Sequence, residues 1–294
     1  MAGLGITNLP MPGKKDRIDR ATPSDGKRGF ETKAEAMCED GKRAQLLRKA
    51  DLPKKQAKRA KDLAILLDSV DPRNPDCESL ASSVGMRWLR IIIVGALWKL
   101  VNKSSLPIAL VTIVPPQWRF PSQKLHKVEA KKLKAQLRSA LNRCDAKEAT
   151  GWLFCWLHGE FDPVTSCFIL HFHGVACGGM IDVVDRLRKS GFMGGPEGDT
   201  WVYRPLFIQR KLTTDLSYLL SYQVKSYWPA CGILDELETH TKRRALKSRI
   251  LNPHASRMLL WIHHSRPTDI CLLMHLRVTK SGLKTSSGRA TART

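Results

Sequence analysis

The stretch from Pro107 to Trp228 constrains the fold most, because short apolar runs and amphipathic helical patterns alternate along it. Its apolar runs predict four strands: Ile108 to Val114, Trp152 to Phe161, Phe168 to Ala176 and Trp201 to Gln209. Three helical patterns begin near Ser122, near Met180, and at Thr213 or Thr214. The order of strand, helix, strand, strand, helix, strand, helix predicts an α+β fold. Its first six elements are those of a split βαβ, ferredoxin-like antiparallel sheet.

Composition divides the rest of the chain into extensions. Up to about Lys61 the sequence is polar and basic, with a helical pattern around Ala34 to Leu67. A helical pattern with an apolar centre covers Ser79 to Val101, and a basic helical pattern covers Lys242 to Arg249. We predict a basic, largely flexible arm (1–75), a helical lead-in (76–106), a central domain (107–230), a helical C-terminal extension (231–278) and a disordered basic tail (279–294).

The charge balance favours a polyanion as partner. Lysine and arginine number 49 against 27 acidic residues, which gives a formal net charge of +22. Neutralising phosphates releases condensed counterions, so such a surplus favours nucleic acid, although charge alone does not identify the polyanion.

Cysteine usage and the apolar runs indicate a reducing compartment and no membrane span. The eight cysteines are spread along the chain without a CxxC pair, which is typical of small core residues. The first residues lack an apolar run followed by a small-residue cleavage site. The longest apolar run, Ile91 to Trp98, is too short to span a bilayer. We expect a cytoplasmic protein with no membrane partner.

The segment His171-Phe172-His173-Gly174-Val175 carries the clearest sign of chemistry. Side chains alternate along a strand, so His171 and His173 share one face, and two adjacent imidazoles can hold one metal ion. Any pairing with the preceding strand that matches the faces brings Glu160 or His158 beside them. We predict Glu160 as the third ligand, with His158 as the alternative. Such a set suits a divalent ion with open positions, magnesium or manganese, and the ligand types are also compatible with zinc.

A second polar group lies on the predicted helix Tyr218-Leu-Leu-Ser-Tyr222-Gln-Val-Lys225. At about 100° per residue, Tyr222 lies about 40° from Tyr218, and Lys225 about 20° on the other side. The leucines and Val224 occupy the opposite face, so the tyrosines lie outside the apolar stripe. A phenol needs help to act as a nucleophile at neutral pH, and Lys225 can supply positive charge. We predict Tyr218, Tyr222 and Lys225 as catalytic residues.

These motifs, in their order, resemble those of a known family. Thr112 in LVTIVPP on a strand, then HFHGV on a later strand, then YLLSYQVK on a helix resemble the three motifs of the HUH endonucleases. The match is to the two-tyrosine class of rolling-circle replication initiators, and it makes residues 107–230 the catalytic domain. The family's metal-binding histidines correspond to His171 and His173, its paired tyrosines to Tyr218 and Tyr222, and its lysine to Lys225.

The resemblance implies a site-specific nickase and strand transferase that uses magnesium or manganese. One tyrosine attacks a phosphodiester in single-stranded DNA or in an extruded origin hairpin, which leaves a 5′-phosphotyrosine and a free 3′-hydroxyl as primer. The second tyrosine then joins and releases the displaced circle. The implied partners are DNA and, beyond it, a host helicase and polymerase.

Two sets of residues have more than one interpretation. Trp152, Phe154 and Trp156 lie on the same face of the predicted strand as His158 and Glu160. They either stack on unpaired bases or, as we favour, pack in the core. The basic runs from Lys124 to Lys134 and from Lys242 to Arg249 either hold the DNA backbone or are solvated helix faces.

Two other functions fit parts of the sequence. A two-tyrosine transposase uses the same chemistry to move an element, but no cluster of cysteine and histidine typical of a zinc-binding segment precedes the domain, which favours an initiator. A noncatalytic single-strand binder of the RNA-recognition type also uses a ferredoxin-like sheet. That alternative leaves the tyrosine and lysine face unexplained.

Overall fold

The computed structural model describes residues 5–12, 30–71, 73, 78–194, 205–210, 216–225, 227–232 and 246–286. Its α-helices are α1 (Lys33–Arg48), α2 (Lys54–Ser69), α3 (Ser83–Asn102), α4 (Ala130–Arg143), α5 (Met180–Arg186), α6 (Leu216–Gln223), α7 (His254–His263) and α8 (Pro267–Ile270). Its strands are β1 (Ile108–Ile113), β2 (Arg119–Pro121), β3 (Trp152–Asp162), β4 (Cys167–Cys177), β5 (Leu206–Gln209), β6 (Ala230–Gly232), β7 (Leu246–Ser248), β8 (Cys271–Met274), β9 (Leu276–Thr279) and β10 (Gly282–Thr285). Of the helices in these ranges, none combines the length and the apolar character needed to cross a bilayer.

Eight of the strands form one mostly antiparallel sheet. Its order is β5-β1-β4-β3-β6-β7, with β2 also paired to β4 and β8 also paired to β3. The contact between β3 and β6 is parallel, and the other pairs are antiparallel. β9 and β10 form a separate hairpin. The predicted α+β class is therefore confirmed.

The predicted elements of the central region largely agree with the structure. β1, β3 and β4 coincide with predicted strands to within one residue at each end, because β-branched and aromatic runs bounded by turn residues mark them. The helix predicted from Ser122 begins as a 3-10 helix, Ser122–Lys127, and continues as α4. β5 begins at Leu206, and residues 201–204 of the predicted fourth strand lie outside the described residues, as do Thr213 and Thr214.

The turn between β3 and β4 sets the register of the histidines. The Asp162 carboxylate accepts hydrogen bonds from the Val164 N–H at 3.0 Å and from the Thr165 hydroxyl at 2.5 Å. Arg119 donates to the same carboxylate at 2.6 Å. Local hydrogen bonds of this kind hold a turn in one conformation. The conformation of the turn then fixes which residues of β3 and β4 face each other. In the resulting register the opposed pairs are Trp156 with His173, His158 with His171, and Glu160 with Ile169.

The two faces of the sheet pack against different helices. Phe172 contacts Trp118 edge-on at 5.8 Å between ring centroids, and Trp118 donates its Nε1–H to Gln136 of α4. The opposite face of β4, which carries His171 and His173, lies against α6, and α3 packs on α6. The histidine face is therefore inside the molecule.

The prediction of a largely flexible arm (1–75) is wrong for its described part. α1 and α2 pack on each other, and α1 packs on α3. Asp40 of α1 caps α3, because its carboxylate accepts from the Ser82 hydroxyl and from the backbone N–H groups of Ser83 and Val84. The side chains of α1 and α2 that join the main core are Ala44, Leu47, Ala60, Leu63, Ala64 and Leu67. This narrow apolar stripe is interleaved with lysine and arginine, which is why composition alone suggests an unpacked segment.

The predicted helical C-terminal extension (231–278) is only partly helical. α7 and α8 are present, but β8 pairs with residues Leu153 to Trp156 of β3 and so covers part of a sheet edge. Residues 242–245 of the predicted basic helix lie outside the described residues, and 246–248 form β7. In the tail predicted to be disordered (279–294), Gly282–Thr285 pairs with β9, and residues 287–294 lie outside the described residues.

Candidate active site

Two imidazoles on β4 face each other across a short gap. His171 and His173 lie on the same side of the strand, as the alternation of side chains predicts, and their Nε2 atoms are 3.1 Å apart. Their ring centroids are 4.7 Å apart, and the ring planes are nearly perpendicular. His171 is 4% exposed and His173 is 8% exposed. The pair is therefore almost sealed from solvent.

The outer nitrogen of each ring contacts an oxygen atom, which belongs to β4 itself for His171 and to β1 for His173. Nδ1 of His171 lies 3.2 Å from the Ile169 carbonyl oxygen. A carbonyl only accepts, so this Nδ1 carries the proton and the Nε2 atom presents a lone pair. Nδ1 of His173 lies 2.9 Å from Oγ1 of Thr112 on β1. A threonine hydroxyl can donate or accept, so His173 either accepts at Nδ1 and donates its Nε2–H to Nε2 of His171, or donates at Nδ1 and leaves both Nε2 lone pairs for a cation.

This spacing fits two nitrogen ligands of one divalent ion. Ligands about 2.1 Å from an ion lie about 3.0 Å apart when they occupy adjacent corners of an octahedron. The observed Nε2 separation of 3.1 Å agrees with that value. Metal-binding histidines usually donate their other N–H to a carbonyl or a similar acceptor, as His171 does. Within the described ranges, no group of three His, Cys, Asp or Glu side chains could hold a metal ion. The fit to a metal ion is therefore limited to the two imidazoles.

The β3–β4 register distinguishes the two residues predicted as third ligand. Glu160 is partly exposed and lies two residue pairs nearer the turn than His158, which is directly opposite His171. The His158 ring lies 4.9 Å from the His173 ring, but its Nε2–H donates to the Gln223 carbonyl at 3.0 Å. Burial, together with the neighbouring charge of His171, holds the pKa of His158 well below its usual range. His158 is thus a neutral link between β3 and the end of α6.

Tyr222 lies against the histidine pair. Its ring centroid is 5.4 Å from that of His173, with the planes at 76°. Nζ of Lys225 lies 3.1 Å from the centre of the Tyr222 ring, which is a cation–π contact. α6 ends at Gln223, so Lys225 reaches the ring from the residues after the helix and not from the helical face that the sequence predicts. A positive charge at this position stabilises negative charge that develops on the phenol oxygen.

Tyr218, the other predicted nucleophile, lies one helical turn before Tyr222. The two residues are about 6 Å apart along the axis of α6. The Tyr218 side chain is partly exposed, whereas Leu220 and Val224 on the other side are fully buried. The structure therefore brings Tyr222, Lys225 and His173 together, with Tyr218 next along the helix.

A buried arginine that the sequence analysis does not identify lies behind α6. Arg90 of α3 is 6% exposed, and its Nη2 is 3.5 Å from the Ser221 carbonyl oxygen. It also forms an ion pair with Glu31 and lies over the ring of Phe30. A buried guanidinium needs such partners. In the sequence, burial of Arg90 is indicated by its position directly before the apolar run Ile91 to Trp98.

Gly174, directly after His173, allows β3 to approach β4 closely. A Cβ atom at this position would lie 2.2 Å from the Phe154 carbonyl oxygen and 2.7 Å from Sγ of Cys155. The first of these contacts is with backbone, which cannot move away without disturbing the strand pair. The glycine of the HFHGV segment is therefore required by the strands that hold the histidines.

The aromatic side chains of β3 lie in the core. Trp152, Phe154 and Trp156 are at most 2% exposed, so the preferred interpretation as core residues is confirmed. None of the three rings offers a face on which a base could stack. Any contact between nucleic acid and this molecule must use other side chains.

The first predicted basic run lies largely at the surface. Lys124, Lys127, Lys131 and Lys132 are exposed on the 3-10 helix and on the first turn of α4. Glu129 forms ion pairs with Lys132 at 2.5 Å and with Lys131 at 3.6 Å. Exposed pairs of this kind stabilise the fold little, so most of the run is available for a polyanion.

Comparison with protein-family models, curated proteins and solved structures gives no match. The geometry around Tyr222 is therefore the basis on which a function is inferred. That geometry is assembled from β1, β4 and α6, which contribute Thr112, the histidine pair and the tyrosine, and from Lys225 after α6.

Proposed function

We propose that this chain is a metal-dependent HUH-type DNA nickase and strand transferase that initiates rolling-circle replication. The observation that carries the proposal is the contact of the Tyr222 ring with His173 at 5.4 Å and with Nζ of Lys225 at 3.1 Å. A phenol, an ammonium group and two facing imidazoles are the parts that a tyrosine-dependent transesterification at phosphorus requires. A tyrosine with only a packing role would have apolar neighbours instead.

The reaction proposed for Tyr222 is a displacement at phosphorus. The phenol gives its proton to water, its oxygen forms a bond to phosphorus, and the bond from phosphorus to the 3′-oxygen breaks. The departing oxygen takes up a proton from water, which leaves a 3′-hydroxyl and a 5′-phosphotyrosine. Lys225 stabilises the charge that develops on the phenol oxygen. His171 and His173 would hold magnesium or manganese, which would supply Lewis-acid polarisation of the phosphate.

A second tyrosine on the same helix gives the protein a second nucleophile for strand transfer. Tyr218 attacks the regenerated origin after Tyr222 has cut and so releases a new 3′-hydroxyl. This hydroxyl attacks the phosphorus bound to Tyr222 and displaces the Tyr222 phenol, so that rejoining needs no nucleotide cofactor. Both reactions require that α6 stays fixed over the sheet. The His158–Gln223 hydrogen bond at one end of α6 and the Arg90–Ser221 contact behind it hold the helix in place.

The strand order supports the ferredoxin-like form of the proposal. β5-β1-β4-β3 is the order of a split βαβ sheet, with α4 between β1 and β3 in sequence and α5 between β4 and β5. The histidines lie on β4 and Thr112 lies on β1, which are the two inner strands of this set. Inner strands are held on both edges, so they position site residues rigidly.

One observation disfavours the noncatalytic alternative. Proteins of the RNA-recognition type bind bases on aromatic side chains exposed on the sheet face. In this chain the corresponding aromatics of β3 are buried, and the histidine face is covered by α6. A two-tyrosine transposase has the same chemistry as the initiator, and the two are distinguished by the DNA on which the chain acts.

The test is a covalent-adduct assay with manganese and single-stranded DNA that spans the coding region and its flanks. We expect the chain to become attached to the 5′ end of the cut product, and we expect a chelator to prevent this. The double variant Tyr218→Phe/Tyr222→Phe should still bind DNA but form no adduct. Cleavage by that variant would contradict the proposal, and a noncatalytic binder would form no adduct in any reaction.

A further inference from the structure

A groove of about 570 Å³ lies between α2, the start of α4 and the segment from α7 to α8. Cationic side chains reach it from each of these elements, and we call it the basic groove. They are Lys55 and Arg59 of α2, Lys131 of α4, Arg257 of α7, and Arg266 directly before α8. Two carboxylates, Glu129 and Asp269, also line it. Positive charge from three distant parts of the sequence therefore converges in one concave surface.

Both carboxylates of the basic groove already form ion pairs. Glu129 pairs with Lys132 and Lys131, and Asp269 pairs with Arg266 at 3.4 Å. Exposed pairs of this type exchange partners at little cost in free energy. These pairs include Lys131 and Arg266, so the two carboxylates balance two of the five cations and leave a net positive charge in the groove.

Arg59 and Arg257 contact neutral groups. Nη1 of Arg59 lies 3.5 Å from Nε2 of His264, and Nη1 of Arg257 lies 3.4 Å from Oγ of Ser122. Burial and then the charge of Arg59 lower the pKa of His264, so this imidazole is neutral at neutral pH. The basic groove consequently keeps a surplus of positive charge that attracts phosphates.

The aromatic residue that lines the basic groove is not available for stacking. Trp261 is 6% exposed, and its Nε1–H donates to the Val128 carbonyl at 2.7 Å. Single-strand binders that grip bases do so with exposed aromatic rings. A groove with exposed guanidinium and ammonium groups and a buried tryptophan suits the sugar–phosphate backbone instead.

Trp261 also connects the basic groove to the candidate active site. Together with Ser265 it lines both the groove and a small cavity whose wall includes Lys225. Lys225 is the residue that contacts the Tyr222 ring. Trp261 and Ser265 therefore link the groove to a cavity that Lys225 also lines.

We propose that the basic groove is a second DNA site, which binds the phosphate backbone without reading sequence and holds the strand next to the Tyr222 cluster. The backbone binding is inferred from charge and lining alone. The placement of the strand beside Tyr222 rests on the proposed function.

The test compares two double charge reversals on the same helix. Lys55→Glu/Arg59→Glu changes the groove, and Lys58→Glu/Lys61→Glu makes the same change in charge on α2 outside it; all four side chains are exposed. Binding is measured by fluorescence anisotropy with a labelled oligothymidylate of about 30 nucleotides and a mixed-sequence duplex of that length, over a range of salt concentrations.

We expect the groove variant to lose about tenfold or more in affinity near 0.1 M salt, with a shallower dependence of log K on log salt. The matched variant should lose less than about threefold and keep the wild-type salt dependence. Equal losses in the two variants would mean that only net charge matters and would overturn the proposal. Unchanged binding by the groove variant would overturn it as well.

A second pair of substitutions tests the opposite wall of the groove. Arg257→Gln/Arg266→Gln should reproduce the loss of affinity, which keeps the proposal testable if the α2 variant does not fold. Wild-type affinity in this folded variant would contradict the proposal. The same substitutions made in Tyr218→Phe/Tyr222→Phe should weaken binding equally. A wild-type chain that binds DNA through the groove but never cuts it would refute the nickase proposal, whereas the proposal that the groove binds the DNA backbone would still hold.

Discussion

The histidine face of β4 and the basic groove differ in almost every physical property. His171 and His173 are nearly sealed, their outer nitrogens are hydrogen-bonded, and their inner nitrogens are held 3.1 Å apart. The groove is open, and the cationic side chains of Lys55, Arg59 and Lys131 are exposed in it. One region positions a few atoms accurately, whereas the other presents diffuse charge.

This difference indicates that chemistry and DNA affinity reside in separate parts of the molecule. Reaction at phosphorus depends on the distance and orientation of a few groups, which burial and hydrogen bonds fix. Affinity for a polyanion depends on the number of phosphates neutralised and on salt. Substitutions in one region should therefore leave the property of the other nearly unchanged.

The largest effect is expected for Tyr222→Phe. Removal of the nucleophile should reduce first-strand cleavage by about 10⁴-fold or more, whereas DNA affinity should change little. Cleavage is followed on a labelled single strand, and affinity is followed by anisotropy. The matched control is Tyr227→Phe, because this tyrosine is partly exposed and donates to the Ser248 carbonyl away from the histidines. A Tyr222→Phe enzyme that cuts at the wild-type rate would show that Tyr222 is not the nucleophile.

The next largest effect is expected for Thr112→Val. Loss of the 2.9 Å contact to Nδ1 of His173 frees that ring to reorient, which should weaken manganese binding by about 10- to 100-fold. Titration calorimetry with manganese measures this directly. Thr285→Val on β10, where the side chain is exposed, is the control. Unchanged manganese affinity in Thr112→Val would show that the hydroxyl does not support the histidine pair.

Gly174→Ala should disturb the histidine face through the backbone. A Cβ atom 2.2 Å from the Phe154 carbonyl oxygen forces the strands apart, so the free energy of unfolding should fall by about 1–3 kcal/mol in a urea titration. Gly41→Ala in α1 meets nothing within 4 Å and should instead stabilise the protein by about 0.5–1 kcal/mol. Equal stability of the Gly174→Ala protein and the wild type would contradict the close approach of β3.

The smallest effect concerns the pH dependence of binding in the basic groove. Burial and the charge of Arg59 lower the pKa of His264 from its usual value of 6.5, so the ring gains a proton only as pH falls below that value. DNA phosphates stay ionised there, and protonation adds a positive charge beside them. Affinity should be flat from pH 8 to about 6.5 and rise two- to fivefold in more acidic buffer, about 1 kcal/mol or less. His264→Gln should reduce this rise, and an unchanged rise would exclude His264.

Residues close in sequence allowed the central strands and the histidine face to be predicted. The run Ile108 to Val114 and the alternation through His171 and His173 mark strands and faces without any knowledge of distant neighbours. The turn at Asp162 likewise limits the β3–β4 register to a few alternatives, of which the structure has the one that opposes His158 and His171.

Features that depend on distant contacts could not be predicted in the same way. The hydrogen bond from His158 to the Gln223 carbonyl, which occupies a nitrogen of one candidate ligand, needs the position of α6 over β3. The end of α6 at Gln223, before Lys225, also departs from the continuous helical face in the prediction. The basic groove joins Arg59 to Arg257, which are far apart in the sequence, so no local run of charge reveals it.

The most direct test of the account is to locate the DNA-linked residue by mass spectrometry. After reaction with manganese and single-stranded DNA, nuclease treatment leaves a nucleotide on the protein, and trypsin releases the peptide 212–225, which contains both predicted nucleophiles. Fragment ions between Tyr218 and Tyr222 then show which one is modified. We predict the nucleotide on Tyr222, and on Tyr222 alone in the Tyr218→Phe variant. Attachment to a residue outside this peptide, or no attachment under conditions in which the DNA is cut, would contradict a tyrosine nucleophile beside the imidazole pair.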